Sequence, residues 1–145
     1  MNLINSGSTT SVAFSGFLDE ITDQESLTHW YDLGSLIFIY GEIGAQFEGS
    51  PDGPLTLINL PSKAKYNFQL NITSIEGLRG STYDYAGFQI SCRCIAGTNT
   101  AQFYVFTNED GGSGTLNREE PLTTNYASVV DNPVIIRFNG FYATK

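Results

Sequence analysis

Tyr66, Phe68, Leu70 and Ile72 alternate with Lys65, Asn67, Gln69, Asn71 and Thr73. This period-two pattern predicts an antiparallel strand with one face in a core and the other in water. A second alternation places Phe88, Ile90, Cys92 and Cys94 on one face, opposite Gln89, Ser91 and Arg93. Gly97-Thr98-Asn99 then turns the chain into 102–107, so these two strands form a hairpin. Residues 34–43, centred on Leu36-Ile37-Phe38-Ile39-Tyr40, and 134–143 are apolar on both faces. Both read as strands that need cover on two sides. Shorter strands are expected at 12–18 and 55–60, the latter stopped by Pro61.

Between these runs lie turn and loop signals. Ser50-Pro51-Asp52-Gly53-Pro54 reads as a turn, because Pro presets φ and Gly accepts positive φ. Residues 76–85 and 108–120 read as loops, the latter around Gly111-Gly112-Ser113-Gly114. The segment 19–32 carries Asp19, Glu20, Asp23, Glu25 and Asp32, and reads as one short helix or a long loop. No heptad and no fixed-period repeat occurs. The fold class this predicts is all-β: an antiparallel β-sandwich or jelly roll of about seven or eight strands. Residues 1–11 are small and polar and read as a neck or linker, leaving 12–145 as one head domain. The spare apolar faces of 36–43 and 134–142 suggest burial against sister subunits.

Charge narrows the function. Fifteen acids against seven lysines and arginines give a net charge of −8. Such a surface repels nucleic acid and anionic membrane. The nearest basic grouping is only Lys63 and Lys65. No apolar run reaches the ~18 residues of a membrane-spanning helix, and residues 1–7 lack the basic start and apolar stretch of a signal peptide. No membrane insertion and synthesis in a cytosol are therefore expected.

Cys92 and Cys94 are the only cysteines. Two residues apart on one strand, their Cα atoms would lie about 6.5–7 Å apart, a poor disulfide geometry. They read as buried apolar side chains. No metal or cofactor is expected: His29 is the only histidine, no second cysteine pair exists, and Asp110-Gly111-Gly112 does not match a calcium loop. One histidine, no Gly-x-Ser-x-Gly and no phosphate-cradling loop argue against an enzyme. Asn71-Ile72-Thr73 matches a glycosylation sequon, but it falls on an expected strand.

Two clusters suit ligand binding. Trp30 and Tyr31, flanked by His29 and Asp32, combine ring faces that stack on sugars with groups that hydrogen-bond hydroxyls. The plainer alternative is that Trp30 anchors the core or an interface. Tyr83, Asp84 and Tyr85, in a Gly-flanked loop, form the second cluster, with Arg118 in the 108–120 loop as a further hydrogen-bonding group.

The run from Trp30 to Gly41, with its Trp-Tyr, a Gly, a β-branched strand and a second Gly, resembles a recurring line in bacteriophage tail-fibre and baseplate tip domains. Leu55 to Pro61 resembles the strand ending in Leu-Pro that follows there, and 133–142 resembles their closing strand. Together these cover about a third of the chain, in order. The resemblance implies a phage receptor-binding head: a homotrimer on the virion tail tip, made in the host cytoplasm. It would bind a host cell-surface saccharide and join other tail or baseplate proteins through its N-terminus. It carries over no particular binding residue. Two alternatives remain: a structural fibre-tip trimerisation domain without a receptor role, and a tumour necrosis factor-like trimeric ligand.

Overall fold

The computed structural model describes residues 3–79, 89–107, 118–127 and 129–144. Among these there is no helix, and the all-β expectation is met. Eight antiparallel strands follow in order: β1 (Asn5–Thr9), β2 (Ala13–Asp32), β3 (Leu36–Ile58), β4 (Phe68–Arg79), β5 (Gln89–Cys94), β6 (Ala101–Thr107), β7 (Arg118–Pro121) and β8 (Val129–Ala143).

Their hydrogen bonds join all eight into one sheet, where the sequence suggests the two sheets of a sandwich or jelly roll. The reason is the length of β3. Residues 36–45 pair with β8, and Thr56 and Leu57 pair with Gln102 and Ala101 of β6. The circuit β3-β8-β4-β5-β6 therefore closes on β3 as a five-strand barrel. Closure removes the free edges that an open sheet of these strands would present. β2 extends from β3, β1 extends from β2, and β7 extends from β6.

The segment 19–32 is neither helix nor loop. It lies within β2, paired along β3 in a long hairpin from Ala13↔Ile58 to Asp32↔Ile37. Its acids are tolerated because Asp19, Glu20, Asp23 and Glu25 face water, while register shifts at 15/17, 18/20 and 22/25 re-aim the chain. Side chains satisfy backbone groups there. Gln24 Oε1 accepts from Phe14 N at 2.7 Å, and Asp19 Oδ1 accepts from Ser50 N at 2.8 Å.

The expected turn at 50–54 likewise lies inside β3, with Pro51 opposite Leu18 and Asp52 opposite Phe17. Gly49 and Gly53 take positive φ without ending the strand. β4 runs on to Arg79 through residues expected in a loop, with a register shift at Gly77. Arg118 to Glu120, assigned to the 108–120 loop, open β7; residues 108–117 lie outside the described residues. The proposed neck is also part of the sheet, since Asn5–Thr9 pairs with Thr28–Asp32. Its small polar side chains suit an exposed edge strand.

The core fills the barrel. Ile37, Ile39, Ile43, Leu57, Leu70, Phe103, Val105, Ile136 and Phe138 are all buried. Phe14 and Phe17 pack on Phe47 with ring centroids at 5.3 and 5.9 Å. Cys92 and Cys94 are free and buried, as expected.

Candidate functional site

In a strand, neighbouring side chains point to opposite faces. Thr28, Ile37, Ile39, Ile43 and Tyr142 point inward, so His29, Tyr31, Phe38, Tyr40, Glu42 and Phe141 point outward. The register sets them side by side. His29 opposes Tyr40, Tyr31 opposes Phe38, and Phe38 opposes Phe141.

The rings form a continuous aromatic surface across β2, β3 and β8. Centroid separations are 4.9 Å for His29–Tyr40, 6.3 Å for Tyr31–Phe38, 6.4 Å for Tyr31–Tyr40, 6.0 Å for Phe38–Tyr40 and 4.8 Å for Phe38–Phe141. Cross-strand aromatic pairs of this kind support the sheet. Yet Tyr31, Tyr40 and Phe141 remain 37%, 40% and 50% exposed, more than packing requires. The neighbouring Tyr31 phenol, then burial, pushes the Tyr40 hydroxyl above its ordinary titration range.

Polar groups border the rings. Asn139 follows Tyr40 across the sheet, and its Oδ1 accepts from Asn71 Nδ2 at 3.1 Å. On the other side lies a groove of about 560 Å³ lined by Glu25, Leu27, His29, Tyr40, Glu42 and Arg137, among others. Arg137 Nε donates to Glu42 Oε2 at 2.6 Å, and its Nη1 lies 3.1 Å from Ser74 Oγ and 3.5 Å from Glu76 Oε2. The arrangement offers ring faces beside amide, carboxylate and phenol groups on an open surface.

Two of the sequence candidates, His29 and Tyr31, share this face. Trp30 does not. It points inward, packs against the core, and lies over Gly7 of β1, where an added Cβ would come within 2.8 Å of the indole. The anchor reading of Trp30 is the one the packing supports. Asp32 closes the hairpin instead of facing the rings: its Oδ1 accepts from Gly34 N at 2.8 Å. Tyr83, Asp84 and Tyr85 lie outside the described residues. Arg118 opens β7, which pairs with β6 and not with β2.

Sequence reasoning missed Tyr40, Phe38 and Phe141 as surface groups. The signal was present as apolar residues on both faces of 36–43 and 134–142. Which of the two faces stays open depended on the pairing partners. Among the described residues, no group of three or more His, Cys, Asp or Glu side chains is placed to hold a metal ion. No helix among them is long and apolar enough to cross a membrane. No family model, curated protein or solved structure matches the chain.

Proposed function

We propose that this chain is a phage-type receptor-binding head that recognises a host cell-surface saccharide through the outer face of β2, β3 and β8. The observation that carries the reading is the exposed aromatic surface of His29, Tyr31, Phe38, Tyr40 and Phe141, bordered by Asn71, Asn139 and Glu42. Apolar faces of sugar rings stack on such aromatics, while amides and carboxylates take the hydroxyls. The reading places the domain on a virion tail tip, as a homotrimer whose shallow sites gain strength together. It involves no catalytic step. It does not depend on a sandwich or jelly roll, since the outside of a barrel presents the same open sheet face.

Glycan-array binding and adsorption to host cells test it, with Tyr31→Ala and Tyr40→Ala as variants. Each should stay folded and lose about tenfold in single-site affinity, the scale of one aromatic contact. Normal adsorption by both variants would remove the face from consideration.

The exposed apolar side chains Leu27 and Phe141 favour a second reading, in which the same face is buried between subunits of a structural tip domain. Light scattering after gel filtration separates the two. Both readings expect three times the 15.9 kDa chain mass. Phe141→Ser leaves a trimer intact under the saccharide reading and yields a monomer under the structural one. A wild-type monomer at micromolar concentration would count against both.

A further inference from the structure

We infer that this face selects its saccharide by charge, accepting neutral or amino-bearing sugars and rejecting those that carry carboxylate, sulfate or phosphate. The inference rests on the saccharide reading above. The groove beside the aromatic surface is lined by two carboxylates, Glu25 and Glu42, and by one cation, Arg137. Arg137 is already engaged. Its Nε binds Glu42 at 2.6 Å, and its Nη1 lies 3.5 Å from Glu76 and 3.1 Å from the Ser74 hydroxyl.

A guanidinium is the usual partner for a carboxylate or phosphate on a ligand. Here an acidic sugar would have to displace Glu42 from it and would then meet Glu42, Glu25 and Glu76 at close range. The neighbouring His29 and Tyr40 rings are stacked on each other at 4.9 Å. A chain charge of −8 adds a long-range field of the same sign. A neutral sugar meets none of this repulsion, and an ammonium on the sugar meets attraction from the carboxylates.

The test is titration of the full chain with four probes: N-acetylated chito-oligosaccharides, their deacetylated forms, oligogalacturonides and a glycerol-phosphate polymer. At low salt the first two should bind at least about tenfold more tightly than the last two, and the gap should narrow in 1 M salt as charges are screened. Glu42→Gln frees Arg137 from its nearest carboxylate and should raise the acidic-to-neutral affinity ratio severalfold. Glu25→Gln, on another strand, should move the ratio the same way. Acidic probes binding as well as neutral ones, or a ratio unmoved in both folded variants, would overturn charge selection while leaving saccharide binding intact. Binding to none of the four, at either salt, would overturn the saccharide reading and this inference with it.

Discussion

At the residue scale, adjacent positions on one strand carry opposite duties. Tyr31 and Trp30 are sequence neighbours, but one faces outward with the rings of β2, β3 and β8 and the other faces the core. Their substitution by Ala should therefore separate cleanly. Tyr31→Ala should leave the thermal midpoint nearly unchanged and weaken adsorption. Trp30→Ala should destabilise the fold by about 2–3 kcal/mol, below the full cost of a completely buried aromatic, because Trp30 is half-buried. Denaturant melts of the two variants decide it, and an unfolded Tyr31→Ala would show the outer rings to be structural. Thr28 gives a second residue-level prediction. It is fully buried, and its Oγ1 has no hydrogen-bond partner among the described residues. An unpaired buried hydroxyl costs about 1–3 kcal/mol, so Thr28→Val, of nearly the same shape, should raise stability by about 1 kcal/mol. A loss of stability would mean that the hydroxyl is satisfied in solution.

At the scale of elements, the β2–β3 hairpin shows what the sequence could and could not reveal. The alternating strands expected at 65–73 and 88–94 were legible, and hold over 68–73 and 89–94, because one wet face leaves a period of two; 102–107 was legible from the Gly97-Thr98-Asn99 turn before it. The strand character of 19–32 was hidden. Its acids read as a short helix or a long loop, and the features that keep it extended are register shifts, a bond from Phe14 to Gln24 within β2 and cross-strand bonds to β3, which no local pattern displays. Pro51 and Gly53 misled in the same way, since an edge of β3 absorbs them without ending. For the binding face, the residue types at 29 and 31 were legible, but Tyr40 joined His29 only through pairing across 11 positions, and Phe141 joined Phe38 only across 103. Gly16 tests the hairpin directly. It sits at a register shift with φ +77°, and an added Cβ would lie 2.2 Å from the Pro54 carbonyl oxygen. Gly16→Ala combines that clash with an unfavourable backbone region, so it should cost more than about 2 kcal/mol. A denaturant midpoint unchanged by this substitution would mean that the bulge relaxes without loss.

At the scale of the whole molecule, barrel closure buries groups that titrate, and this makes stability depend on pH in a defined window. Cys92 and Cys94 sit inside the barrel on β5 with no exposed surface. Burial pushes the Cys92 thiol well above its ordinary value, with the neighbouring Cys94 adding to it, and pushes Cys94 up to about 12. Burial also raises the Tyr142 phenol, whose Oη accepts from Ser62 N at 3.2 Å. In the unfolded chain a thiol ionises near pH ~8.5. Between that value and about 12 the folded state therefore holds more protons than the unfolded state, and stability falls as pH rises. Below pH ~8 both states keep the thiol proton, and this dependence vanishes. Each thiol contributes a slope of at most about 1.4 kcal/mol per pH unit within the window. Urea unfolding at pH 8 and pH 10 should show the midpoint dropping, before the contribution of Tyr142 becomes large. A Cys92→Ala, Cys94→Ala double variant starts less stable from lost packing, but it should lose markedly less between the two pH values. Equal losses in the two proteins would assign the alkaline sensitivity to the buried Tyr142 phenol and not to the thiols inside the barrel.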